Sequence, residues 1–358
     1  MRIGVLALVL AMLAAGPAAA QDPRDAAIAA LAREHPRTAI GAALIRDGKV
    51  VWTGVAGAQT DTQPATRDTQ FNIASMTKPV TAELVMRLVQ AGRVGLDEPM
   101  AAVWTDPDIA GDARAKHLTP RFALSHQTGL PNWRPRNRRL TFERDPGTGY
   151  IYSGEGLELV ARFAARKLRA DFEDLAQAHL FGPMGLTRTA YTWRPWMEGR
   201  VAVPANGDNY PGTAGPNPYG HWLAADDIYT TVGDYAAFVA GVARGDGLSA
   251  RLKAERLRPQ VAMPGCARPV AGCPDSVGMG LGWQIMTFGK RRMVLHDGGD
   301  PGVSAIAYFD ADTRDGALVF LSGDGDAPLA MRVIEAVDPQ SPVPGGYRAI
   351  LKSHETAE

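Results

Sequence analysis

The sequence predicts an α/β fold: an antiparallel sheet flanked by helices and interrupted by a mostly helical insertion. Three observations lead there. Strand-like runs stand near the start, at 39–45 and 50–55, and return only late, at 283–288, 293–296, 303–309 and 317–321. The stretch between carries apolar residues at three- and four-residue steps, the spacing of helices. Strands at both ends with helices between them are expected to pair in one antiparallel sheet.

The elements follow in order. Arg2, the apolar run Ile3 to Leu13 and the small residues Ala18-Ala19-Ala20 read as an export signal over 1–20, cleaved before Gln21. A membrane anchor is the alternative, but the run is short for a bilayer. Residues 21–358 are expected to form a single domain, with sheet-forming parts at about 25–80 and 280–340 and the helical insertion at about 95–245. Asp25 to Glu34 is predicted helical. Asp47-Gly48 lies between the first two strands, a strong hairpin signal. Phe71-Asn72-Ile73-Ala74 gives way to an amphipathic helix marked by Val80, Leu84, Leu88 and Val89 and ended near Gly92. Helices are expected at 157–168, 172–180 and 232–242, with a Gly/Pro/Asn loop at 204–218. The late strands form a hairpin around Gly289-Lys290 and a second pair around 312–316, and a helix at 329–337 closes the fold.

Composition narrows the function. Lys+Arg and Asp+Glu both number 38. That balance gives no electrostatic case for a nucleic-acid partner or an anionic membrane surface. The two cysteines, Cys266 and Cys273, flank a short Pro/Gly-containing stretch. In an oxidising compartment they are expected to pair, closing a loop that stabilises by about 2–3 kcal/mol in the chain-entropy view. A metal site needs more ligands than two thiols, and nothing in the sequence calls for a metal or an organic cofactor.

Chemistry concentrates at Ser75-Met76-Thr77-Lys78. Residues three apart share a helix face, so the Ser75 hydroxyl and the Lys78 amine can meet. A serine is a weak nucleophile until a base takes its proton, and a lysine serves when burial lowers its pKa. The helix N-terminus favours the negative charge that develops on attack. There is no Gly-x-Ser-x-Gly elbow and no His-Glu-x-x-His zinc helix.

Three further segments align with this one: Leu124-Ser125-His126-Gln127-Thr128-Gly129-Leu130-Pro131, Tyr152-Ser153-Gly154 within 146–154, and His296-Asp297-Gly298-Gly299. In order and spacing the chain resembles the serine β-lactamase and penicillin-binding-protein superfamily, in its class C, D,D-carboxypeptidase and esterase branch, from about residue 25 to about 338. The resemblance implies a β-lactamase-like fold. It implies Ser75 as the acylated nucleophile, with Lys78 and Tyr152 as its general bases: the phenol, made easier to ionise by the neighbouring ammonium, is expected to serve as base in acylation and in activating water. His296-Asp297-Gly298 takes the place of Lys-Thr-Gly, and the N–H groups of Ser75 and Gly299 become the oxyanion donors. His126 falls in a segment that is structural in that superfamily. The basic run Arg134 to Arg139 is a solvated loop or an anion-binding rim.

Two departures bear on substrate. Gly154 replaces the asparagine of Tyr-Ser-Asn, which holds an acylamino group and the lysine. His296-Asp297 replaces Lys-Thr on the strand that binds a substrate carboxylate, and Asp297 would repel one. The expectation is an exported serine hydrolase, periplasmic or secreted, acting on esters or amides of a small-molecule or peptide-like substrate, with Asp297 able to favour an amine. A class C-type β-lactamase or D-alanyl-D-alanine carboxypeptidase, and a non-catalytic acyl-ligand binder, are the alternatives.

Overall fold

Strand β1 (Ala39–Arg46) is buried along nearly its whole length, as a strand covered on both faces must be. The computed structural model describes residues 22–135, 139–203 and 215–355. The predicted signal, most of the 204–218 loop, and Arg136 and Arg138 of the basic run lie outside them. Helix α1 (Pro23–Glu34) is capped by Asp22, whose carboxylate accepts the Arg24 N–H. β1 turns into β2 (Lys49–Gly57) through Asp47 and Gly48, both at positive φ (48° and 68°), the backbone a tight hairpin demands.

The short strand β3 (Phe71–Asn72) leads through one 3₁₀ turn (Ala74–Met76) into α2 (Thr77–Gln90). Sequence periodicity made α2 amphipathic; in the fold every residue from Thr77 to Leu88 is buried. Glu83 is internal because it meets Arg256, and Lys78 because it meets acceptors at Ser75 and Ala225; Arg87 is buried with only a 3.5 Å approach to the same Glu83. The helical region continues with α3 (Pro120–Leu124), α4 (Gly154–Leu168) and α5 (Phe172–Ala176), a π-helical turn (Gln177–Phe181) and the short α6 (Gly182–Met184). Strand β4 (Tyr229–Thr230) pairs with β3, and α7 (Val232–Arg244) and α8 (Ala250–Arg256) follow.

The chain then builds β5 (Val261–Ala262), β6 (Ser276–Met279), β7 (Gln284–Phe288), β8 (Arg291–Asp300), β9 (Val303–Asp310) and β10 (Gly316–Ser322). These join β1 and β2 in an eight-stranded antiparallel sheet, order β2-β1-β10-β9-β8-β7-β6-β5, not closed into a barrel. The two ends of the chain meet where β1 pairs β10, from Ala39↔Ser322 to Ile45↔Gly316. Helix α9 (Ala327–Val337) does not end the fold: α10 (Val343–His354) follows. Pro344, Gly345 and Gly346 give its first turn the look of a loop, yet proline is compatible with a first turn because that N–H has no helical partner.

One core fills the face of the sheet toward α2, α4 and α7, and a second fills the face under α1, α9 and α10. β7 pairs with β8 only as far as Gln284↔Leu295. From His296 to Asp300, β8 is therefore paired within the sheet through β9 alone, and its other edge opens beside the start of α2. Cys266 and Cys273 are disulfide-bonded in the β5–β6 connection.

Candidate active site

Four segments converge at the N-terminus of α2. Ala74, immediately before the serine, has φ +45°, a left-handed conformation that a non-glycine residue holds only when its surroundings impose it. The imposing group is Asn72: its side-chain oxygen accepts the Ala74 N–H at 2.7 Å, and its amide donates to Asp227 at 3.1 Å. The turn is thereby tied to the 224–230 segment. That segment is pinned to α2 by Ile228 N–H to Thr77 Oγ1 (3.0 Å) and Thr81 Oγ1 to the Ala224 carbonyl (2.6 Å).

Lys78 points back along this seam. Its Nζ lies 2.7 Å from Ser75 Oγ and 2.8 Å from the Ala225 carbonyl. The side chain is fully buried, and desolvation lowers its pKa from 10.5 to about 8, opposed by the charges of Asp226, Glu158, Asp300 and Asp297. Nζ also stands 4.8 Å from the centre of the Tyr152 ring and 5.6 Å from that of Trp133. The charged amine donates to Ser75; once deprotonated, its lone pair can accept the serine proton across the same 2.7 Å.

Tyr152 is where the sequence predicts it, hydrogen-bonded to Ser75. Its ionisation runs against the expectation. Burial raises the phenol pKa above its ordinary value, with Asp297 adding to the rise, and the Ser75 hydrogen bond only partly offsets this. The nearby ammonium is itself desolvated and ringed by carboxylates, so it does not make the phenol acidic. Burial therefore favours the neutral phenol in the resting site.

His126 (φ +55°) packs at a tilt against Tyr152, 4.6 Å between ring centres, and accepts the Ser153 N–H at Nδ1, 2.9 Å. It fixes the backbone that presents Tyr152. Arg134 is held by Glu155 and Asp106, and Arg139 reaches Asp108, so these two ends of the basic run brace the loop.

On β8, strand alternation splits the predicted quartet. His296 faces inward, 6.4 Å from Tyr152 between ring centres, with its pKa lowered by burial to about 4. It is neutral, so no permanent cation stands where Lys-Thr-Gly would put one. Gly298 abuts the serine turn: a Cβ there would sit 2.5 Å from the Ile73 carbonyl oxygen and 3.0 Å from Ser75 N, so only glycine fits. Gly299 follows on the open edge. Asp297 lies on the opposite side of the strand, accepting hydrogen bonds from Gln284 (3.2 Å) and Tyr347 of α10. Gly154 opens α4; a Cβ there would meet the Asn132 carbonyl at 2.7 Å, and the Asn132 side chain accepts the Gly154 N–H.

Sequence reasoning missed the acidic wall. Asp226, Asp227 and Asp300 place carboxylate oxygens within 4.8 Å of one another and are the group among the described residues close enough to hold a cation. Burial, before mutual repulsion, raises Asp226 and also raises Asp300 to about 6. Glu158, which accepts the Ala225 N–H, is raised by burial to about 7. The Asp-Asp pair after the 204–218 loop was the only signal in sequence.

Fold and site together define the serine β-lactamase and penicillin-binding-protein class. The Beta-lactamase family model matches residues 24–338, and the chain belongs to that family. It is 26% identical over 318 residues to "Putative beta-lactamase-like 1" of Homo sapiens, covering 80% of this chain and 61% of that protein. It is 22% identical over 282 residues to the D-alanyl-D-alanine-carboxypeptidase/endopeptidase AmpH of Escherichia coli (strain K12), covering 71% of each. The D-amino acid amidase from Ochrobactrum anthropi SV3, solved with L-phenylalanine, superposes with a TM-score of 0.69 at 23% identity over 93% of this chain and 99% of that one, which shows a shared fold. The chain thus spans about three fifths of the human relative's length.

Proposed function

We propose that the protein is an exported serine hydrolase that cleaves esters or amides through a Ser75 acyl-enzyme. The observation that carries this is the 2.7 Å contact between Ser75 Oγ and a buried Lys78 whose pKa falls to about 8. Neutral Lys78 takes the Ser75 proton as Oγ bonds to the substrate carbonyl. The N–H groups of Ser75 and Gly299 hold the resulting oxyanion. As the intermediate collapses, Tyr152 gives its proton to the leaving alcohol or amine and receives one from the Lys78 ammonium. Water then attacks the acyl-enzyme, giving one proton to Lys78, which passes it to the departing Ser75 oxygen; the other stays on the carboxylic acid that is released, and Lys78 is neutral again.

The acidic wall sets the substrate class. Asp226, Asp227 and Asp300 disfavour an acyl group bearing a carboxylate and favour a neutral or amine-bearing one. The amine preference expected of Asp297 fits these residues better, because Asp297 is engaged by Gln284 and Tyr347. The amidase neighbour supports the same reading. Export is supported by the disulfide; no helix among the described residues is long and apolar enough to cross a membrane.

The test compares the purified protein with Ser75→Ala on a short-chain p-nitrophenyl ester, a D-amino-acid p-nitroanilide, a chromogenic cephalosporin and a D-Ala-D-Ala peptide. Turnover of the first two that vanishes with Ser75 is expected. Fast cephalosporin or peptide turnover would return the protein to β-lactam or carboxypeptidase chemistry. Activity retained by Ser75→Ala would sink the acyl-enzyme.

A further inference from the structure

A cleft of about 810 Å³ lies at the far end of α2 from Ser75, lined by Arg87, Met184, Lys49 and Arg244. Its charge is unbalanced. Glu83, fully buried, accepts from Arg256 Nη1 at 2.9 and 3.1 Å and from the Trp283 indole at 3.1 Å. Those donors leave Arg87 outside: its Nη1 stands 3.5 Å from Glu83 with no hydrogen bond, although the residue is only 8% exposed. Arg87 Nη2 reaches the thioether sulfur of Met184 at 3.1 Å, a weak acceptor. Two buried guanidiniums therefore share one carboxylate, and burying an uncompensated charge is strongly unfavourable. At the mouth, Arg244 is neutralised by Asp246, whereas the exposed Lys49 has no ion pair among the described residues.

One wall is apolar, from Ala178, Pro183, Ala237 and Ala240, while Gln90, His179 and Asp246 add polar groups around it. Ala178 belongs to the π-helical turn, a rare element that recurs at functional sites.

We propose that this cleft is a binding site for a small monocarboxylate with an apolar body. The carboxylate pairs with Arg87, supplying the single negative charge the buried cluster lacks, the body lies on the alanine and proline wall, and Lys49 draws the anion in. The site is separate from Ser75 and stands whether or not the hydrolase reading does.

Thermal unfolding of the full chain tests it, with hexanoate as the probe and hexanamide as its uncharged control. Hexanoate at roughly tenfold its Kd should raise the melting temperature by about 2 °C, and hexanamide should not. Arg87→Met should lose the response, and Lys49→Glu should need several-fold more hexanoate. No response in the wild type overturns the proposal. So does an equal response in Arg87→Met, which would put the anion elsewhere, for example at the oxyanion donors. Should Arg87→Met fail to fold, an unchanged hexanoate response in Lys49→Glu overturns it instead.

Discussion

Lys78 can act as base only to the extent that burial strips its proton, and that can be put in numbers. With a pKa of about 8 in place of 10.5, the amine is neutral in about one molecule in ten at pH 7 instead of roughly one in 3,000. The gain is on the order of a few hundred-fold in the reactive form, or roughly 3 kcal/mol. The neutral amine is the active species, so kcat/KM for a p-nitrophenyl ester should climb with pH and level off above about 8. Lys78→Arg, which stays charged throughout, should lose about 10²–10⁴-fold and the inflection with it. Stability carries the opposite sign. The folded state holds the amine less readily protonated than the unfolded chain does, so the fold is penalised below about pH 8, and the penalty fades as pH rises from there toward 10.5. A wild-type profile that is flat through neutral pH, or that rises only near the ordinary lysine pKa, would refute a desolvated Lys78.

Two more outcomes follow from the same geometry. Asp226 is the largest of the charges that hold the Lys78 pKa up, so Asp226→Asn should move the inflection to lower pH; movement to higher pH would contradict the electrostatics. Gly298→Ala would drive a methyl into the Ile73 carbonyl and the Ser75 N–H, so urea unfolding should show a loss of about 1–3 kcal/mol together with slower acylation; a variant with wild-type stability and rate would mean that β8 does not press on the serine turn.

What was legible in the sequence and what was not divide along one physical line. Ser75, Lys78, Tyr152 and His296 sit in short contiguous segments, where local geometry sets direction, and the structure brings all four together. The strands of β1, β2 and β7 to β10 were legible for the same reason, through alternation and turn residues. Glu158, Asp226 and Asp300 carry no motif: Asp226 reaches Lys78 because the 224–230 segment is bonded to α2 across about 150 positions of chain, and Glu158 and Asp300 come to it from α4 and β8. Burial was equally hidden, and it decided the chemistry. Read as a row of neighbours, an ammonium beside a phenol makes the phenol acidic; enclosed as they are, Lys78 is pushed toward neutrality and Tyr152 away from ionisation. The same enclosure silences His296 as a cation. The division of labour we propose therefore rests on desolvation acting in opposite directions on a base and an acid: it favours the lysine as proton acceptor and the tyrosine as donor, with no charged residue on β8 needed to keep them so.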